Sequence, residues 1–224
     1  MSKKTLSILG VGWLGQALVD TLQNTYTIKK SLRSKGALQD KKFYTCDLLI
    51  VSLTPKVHYL KNLNTVLENT SKNTLLILLS STSVYSRKTG AQIQRLGEDL
   101  VKRRHPNYLI LRLGGLMGYD RVAGKYTQGK TVQNDTFSNY IHRDDVVEII
   151  QDLLLKGVKK EIFNLVCPMH PSKKKVYEKN AQRFSLEKTT FLSNDIQGFK
   201  VSSSKLQQHL DYTFKYKNPL DFHT

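Results

Sequence analysis

The sequence predicts an α/β fold, a doubly wound parallel sheet that carries a small C-terminal lobe. Three observations carry that prediction. Short apolar runs alternate with amphipathic helical stretches through the first half of the chain. Two of those runs, 47–53 and 75–79, are apolar almost throughout, as strands covered on both faces are. A glycine cluster at 10–15 stands between the first strand and the first helix.

Each element follows from a local pattern. Thr5 to Leu9 reads as a strand, Leu14 to Leu22 as an amphipathic helix, and Tyr26 to Leu32 as a second strand. Asp47 to Leu53 is the third apolar run, and Leu60, Leu63, Val66 and Leu67 give the next helix one face. Leu75 to Leu79 is a buried strand, Ile93, Leu96, Leu100 and Val101 line a helix, and Tyr108 to Leu113 is a further strand. From Asp120 to Asn139 the chain is polar and reads as loops with a short strand. Val146, Ile149, Ile150, Leu153 and Leu154 then define a helix that Asp144 or Asp145 is placed to cap. Ile162 to Val166 returns to strand. Ser172 caps a basic helix running towards Phe184, and Lys205 to Leu210 makes a short last helix. No repeat or linker divides the chain. It reads as one domain, 1–224, with residues 1–118 as a core and 119–224 as a reduced lobe interwoven with the sheet edge.

Composition narrows the function classes. The longest apolar runs are too short to cross a bilayer, and the strand-like run begins at once after Met1-Ser2-Lys3-Lys4, so no signal peptide and no membrane partner are expected. Cys46 and Cys167 stand far apart without metal-ligand spacing, which predicts reduced thiols, no metal and a cytoplasmic protein. The net charge of +17 favours phosphate-bearing ligands. The basic residues are scattered, however, with no arginine-rich arm, zinc-finger spacing or aromatic RNA-binding signature. The sequence therefore argues against nucleic acid as the partner and reads the charge as a solvated lysine-rich surface.

Gly10-Val11-Gly12-Trp13-Leu14-Gly15 is a G-x-G-x-x-G turn between a strand and a helix, the context that dinucleotide binding requires. Gly10 allows the tight turn, Gly12 a close approach of backbone to pyrophosphate, and Gly15 close packing of helix on strand. The amides of the helix start, from Trp13 and Leu14 on, then face the negative charge. A site that prefers NAD carries an acid about twenty residues later, on the ribose hydroxyl. No acid lies between Asp20 and Asp40; Arg33, Ser34 and Lys35 stand there instead, suited to a 2′-phosphate. The cofactor read from the residues is NADP ahead of NAD.

Four later segments resemble the extended, NAD-dependent epimerase/dehydratase-like branch of the short-chain dehydrogenase/reductase superfamily. They are Ser80-Ser81-Thr82-Ser83-Val84-Tyr85, Arg112 to Gly118, Asn139-Tyr140-Ile141-His142-Arg143-Asp144-Asp145-Val146, and Phe163-Asn164-Leu165-Val166. With the glycine turn they span about three quarters of the chain in the family's order. The resemblance implies a Rossmann-like fold and a small-molecule or sugar-nucleotide substrate. It makes Ser81 the catalytic hydroxyl that bonds a substrate oxygen, with Ser80 beside it at the cofactor's reactive end. Leu53-Thr54-Pro55 match the segment along the cofactor's ribose, and Gly114 and Gly115 the passage beside the nicotinamide. His142 reads as structural.

The family's general acid is a tyrosine with a lysine four positions later, a pair that exchanges a proton near neutral pH. Alignment on Leu96-Gly97-Glu98 puts Gly90 and Gln94 there, and no tyrosine lies between Tyr85 and Tyr108. Tyr85, a lysine such as Lys88, or water must then supply the proton. The expected function is an NADP-dependent oxidoreductase or epimerase on a small or sugar-linked substrate. A non-catalytic NADP-dependent sensor or scaffold is the alternative. The stretch 36–45 is too short for the usual second crossover helix and third strand.

Overall fold

The computed structural model describes residues 2–31, 38–86 and 89–223. The chain divides into two compact units, residues 1–112 with 150–163, and residues 113–149 with 164–224.

The first unit is built on a six-stranded sheet in the order β2-β1-β3-β4-β5-β9. These strands are β1 (Thr5–Leu9), β2 (Thr27–Ser31), β3 (Leu48–Val51), β4 (Leu75–Ser81), β5 (Tyr108–Leu113) and β9 (Glu161–Leu165). β1 pairs in parallel with β2 on one side and β3 on the other, and β3 with β4. Every residue of β3 is buried, so its all-apolar run Leu48-Leu49-Ile50-Val51 has both faces covered. Helices α1 (Trp13–Leu22), α2 (Tyr59–Asn69) and α3 (Thr89–Arg104) join these strands. One core layer gathers Leu49, Val51, Tyr59, Leu63, Val66, Leu76, Leu78 and Ile110. β3 pairs directly with β1, and among the described residues no strand lies outside β2. The sheet's direction reverses between β1 and β3, which opens a crevice at the carboxyl ends of those two strands.

The second unit carries two small parallel ladders, β6 (Gly115–Met117) with β8 (Tyr140–His142), and β7 (Thr131–Thr136) with β10 (Thr190–Gln197). Helix α4 (Arg143–Leu155) begins in this unit, followed by α5 (Lys173–Phe184) and α6 (Ser204–Leu210). Ala123, Tyr140, Cys167, Val176 and Phe222 form its core. Among the described residues no helix is long and apolar enough to cross a membrane.

Three details differ from the sequence reading. Leu96 does not face the core but is 42% exposed, because the buried stripe of α3 runs through Gln94, Gly97, Glu98 and Val101. Neither Asp144 nor Asp145 is an N-cap: α4 starts at Arg143 and both carboxylates sit in its first turn. β10 has no counterpart in the sequence reading, since Thr190 to Gln197 mixes polar and apolar residues without clean alternation. Ser172, by contrast, caps α5 as expected, accepting from the Lys175 amide at 3.3 Å.

Candidate functional site

The glycine turn lies at the switch point. Gly10 has φ +90°, and a Cβ there would run into the Ser52 carbonyl oxygen, so the turn between β1 and α1 is closed to any other residue. The Gly10 and Val11 amides both donate to the Ser31 carbonyl, at 3.1 and 3.2 Å, which ties the turn to the end of β2. The Gly12 amide donates back to the Gly10 carbonyl at 2.9 Å, so Gly12 contributes its missing side chain rather than its N–H. Gly12 caps α1 with no side-chain bond, and the first turn carries no acid. Trp13 opens the helix half-buried, and Leu14 is buried beneath it. Gly15 packs against the turn, where a Cβ would lie 3.2 Å from the Gly10 carbonyl oxygen. The helix therefore presents its positive end without a carboxylate of its own to neutralise it.

A cavity of about 200 Å³ adjoins this turn, lined by Leu9, Gly10, Leu53, Thr54, Tyr59 and Asn62. Leu53 packs against the core, Thr54 is exposed and Pro55 is half-buried, so that segment forms one wall. The cavity offers an apolar floor from Leu9 and Leu53 and the Asn62 amide side chain. Arg33, Ser34, Lys35 and Lys88 lie outside the described residues.

The carboxyl end of β4 holds the second group. Ser80 is buried, and its hydroxyl donates to Glu98 Oε1 at 2.6 Å. Glu98 in turn receives Arg112, through Nε to Oε1 at 3.0 Å and a terminal nitrogen to Oε2 at 2.6 Å. The other Arg112 nitrogen donates to the Tyr85 hydroxyl at 2.8 Å, and the guanidinium lies 5.1 Å from the Tyr85 ring centre. Ser81 accepts from the Ser83 amide at 3.1 Å and is half-buried, while Tyr85 is 40% exposed. Ser80 thus serves the ion pair, and of the two serines Ser81 is the more open. Gln94 is buried and hydrogen-bonded to Ser83.

The Glu98–Arg112 pair escaped the sequence reading. Its signal was present: an arginine inside the otherwise apolar strand Tyr108-Leu109-Ile110-Leu111-Arg112-Leu113 needs a buried partner.

In the second unit the predicted motif residues are mostly braces. A Cβ on Gly114 would lie 2.6 Å from the Asn139 carbonyl oxygen, and one on Gly115 would meet the Tyr140 ring, so both glycines admit β8 beside β6. The Asn139 side chain donates to Phe199 O at 3.0 Å and accepts from the Val201 amide at 2.9 Å. His142 stacks on Tyr216 at 3.6 Å, and its Nδ1 accepts from the Asp144 amide at 3.3 Å. Burial pushes this imidazole down to about 4, against the upward pull of Asp144. Asp145 accepts from the Tyr212 hydroxyl at 2.8 Å and from the Lys215 and Tyr216 amides at 2.8 and 3.2 Å. Burial raises its carboxyl above the usual range. Both cysteines are free thiols, and among the described residues no His, Cys, Asp or Glu cluster is able to hold a metal ion.

The parallel sheet with its glycine turn at the switch point is a Rossmann-type fold. No family model matches the chain. A curated relative, Protein YeeZ of Escherichia coli K12, is 22% identical over 97% of this chain and 98% of its own length. Among solved structures, one classed as an NAD-dependent epimerase/dehydratase from Methylobacillus flagellatus superposes with a TM-score of 0.82. It is 16% identical, over 99% of this chain and 96% of that one. MoeE5, solved with UDP-glucose and NAD, gives a TM-score of 0.72 at 16% identity over 93% of each chain. At these identities the likeness is one of fold.

Proposed function

We propose that this chain binds a nicotinamide dinucleotide at the switch point of its sheet, NADP ahead of NAD, and acts as an oxidoreductase or epimerase on a small or sugar-linked substrate. The observation that carries the proposal is the Gly10–Gly15 turn. Its backbone is closed to side chains at Gly10, carries none at Gly12, and adjoins a cavity between Leu53, Thr54 and Tyr59. In this reading the first turn of α1 takes the pyrophosphate and the cavity the adenosine end, while Arg33, Ser34 and Lys35, outside the described residues, are assigned to a 2′-phosphate from the sequence. The nicotinamide supplies a hydride acceptor or donor when bound. A solved neighbour supports a nicotinamide dinucleotide and a sugar-linked substrate, since MoeE5 is a complex with UDP-glucose and NAD; the preference for NADP rests on the sequence alone.

Ser81, the half-buried hydroxyl at the end of β4, orients the reacting oxygen of the substrate. Tyr85 holds the proton. Its hydroxyl takes a hydrogen bond from Arg112, which fixes the phenol near the end of β4. Turnover of NADPH against panels of carbonyl compounds and nucleotide sugars tests this. Oxidation that falls at least tenfold in both Ser81→Ala and Tyr85→Phe supports the assignment; full activity in either variant removes that residue from the chemistry.

One observation favours a non-catalytic reading. Gln94 fills the lysine position and bonds Ser83, which leaves a neutral amide where the family keeps a charge. Tight NADP binding without turnover of any substrate, coupled to a change in partner affinity, would select that sensor or scaffold.

A further inference from the structure

In a parallel sheet every strand enters at the same edge, so the connections that precede the strands of the first unit gather at one end. That end lies opposite the glycine turn, one strand length or roughly 16 Å away. Its connections are strongly basic. Lys3 and Lys4 precede β1, Lys41 and Lys42 precede β3, and Lys72 precedes β4. Arg103 and Arg104 end α3 before β5, and Lys156, Lys159 and Lys160 precede β9. All are exposed. In the same connections, 2–4, 40–47, 70–74, 103–107 and 156–160, the described acidic residues are Asp40 and Asp47. Each already accepts a backbone amide, from Lys42 at 2.9 Å and from Thr5 at 2.8 Å. The fold thus gathers what the sequence scatters.

Helix dipoles account for part of this. Lys72 donates to the Arg104 carbonyl at 2.5 Å, an ordinary use of a cation at a helix end. Two or three cations after a single helix exceed that need, and Lys3 and Lys4 follow no helix. Between the connections runs a groove of about 710 Å³, onto which Lys4, Lys41 and Lys159 open. Its walls carry Asn69, Ser71, Asn73 and Asn107, side-chain types that bond phosphate and sugar oxygens, together with two carboxylates, Asp47, which accepts the Thr5 amide, and Glu68, which lies 3.9 Å from Arg104.

We propose that this amino edge of the sheet docks the phosphodiester backbone of a nucleic acid. A membrane fits less well. Leu155, 66% exposed, stands beside the basic connections, and a single leucine buries too little apolar surface to anchor a bilayer. An acidic small molecule would engage the groove and leave the outer cations unused. The surface presents cations and hydrogen-bonding side chains without an exposed aromatic among its connections. It therefore reads backbone rather than base sequence.

Fluorescence anisotropy with a labelled 20-nucleotide RNA, and with duplex DNA of the same length, tests the proposal across 50–200 mM KCl. The probe protein is the full chain, in wild-type form, as Lys4→Glu/Lys41→Glu/Lys159→Glu, and as Lys173→Glu/Lys175→Glu/Lys205→Glu. The two triple variants change net charge equally; Lys173 is half-buried and the other five side chains are exposed. Binding by the wild type that weakens at least tenfold in the first variant and less than threefold in the second is the expected result. The salt slope should fall by about 0.9 for each phosphate that the duplex-binding variant no longer neutralises. Saturating NADP should leave RNA affinity unchanged, because the two sites lie at opposite strand ends. Equal losses in both triple variants, no binding at 50 mM KCl, competition by NADP, or capture by phosphatidylserine vesicles but not nucleic acid would each overturn it.

Discussion

Arg112 holds Glu98 with two hydrogen bonds, Nε to Oε1 at 3.0 Å and a terminal nitrogen to Oε2 at 2.6 Å, on a carboxylate that is 2% exposed. Ser80 bonds the same carboxylate, and Tyr85 takes the remaining guanidinium arm. Removing one member leaves the other charge buried without its partner. Glu98→Ala should therefore cost about 3 kcal/mol or more in urea denaturation. Arg112→Lys, which keeps the charge and loses the fork, should also destabilise and should release Tyr85. A loss below about 1 kcal/mol in Glu98→Ala would mean that the pair is dispensable.

Gly10 combines a left-handed backbone with a wall of backbone at its missing Cβ. Gly10→Ala should destabilise the chain by roughly 2 kcal/mol or more, and it should abolish the thermal shift given by NADP. Gly198 has φ +86° with open space around its missing Cβ and serves as the control. Gly198→Ala carries the backbone cost without the collision and should leave the NADP shift intact.

His142 predicts a specific acid sensitivity. Its folded pKa, about 4, lies below the ordinary 6.5, so the unfolded chain takes up the proton first. The stability that depends on the neutral ring is complete above 6.5 and is lost as pH falls towards 4. Between pH 7.5 and pH 5 the loss is about 2 kcal/mol. Because His105, His170 and His223 are also pushed down by burial, the measurement is a comparison. The wild type should lose about that much more than His142→Phe over this range. Parallel pH profiles would show that the folded chain takes up the His142 proton as readily as the unfolded one.

Asp145 fastens the segment 212–216 through the Tyr212 hydroxyl and two amides. Asp145→Ala should cost roughly 2 kcal/mol and speed hydrogen exchange at the Lys215 and Tyr216 amides at least tenfold. Unchanged exchange there would contradict the bracing role.

Most of the first unit is legible in the sequence because its signals are local. β1 reads as Thr5 to Leu9 and is found there, and the all-apolar run of β3 admits only a strand covered on both faces. The glycine turn is legible for the same reason: spacing and context lie within fifteen residues. What stays hidden depends on pairing at a distance. β7 and β10 stabilise each other across more than fifty residues of sequence, and neither alternates cleanly enough to be read alone. Leu96 faces outward because Gly97 lets α3 approach Tyr59, where a Cβ would lie 2.6 Å from the ring, and because Glu98 turns to Arg112. The resemblance places Ser80 at the cofactor. Its hydroxyl is committed to Glu98, a partner eighteen residues away that no spacing rule announces.

The proposed function requires a nicotinamide dinucleotide seated on the first turn of α1, its 2′-phosphate held by Arg33. Isothermal titration calorimetry of NADP and NAD into the wild type and Arg33→Ala tests it most directly. Loss of one charge-assisted bond of about 1.5 kcal/mol is roughly tenfold in affinity. The account predicts tighter binding of NADP than NAD in the wild type, and a variant whose NADP affinity falls about tenfold while NAD is unaffected. No heat with either nucleotide at millimolar concentration would contradict it.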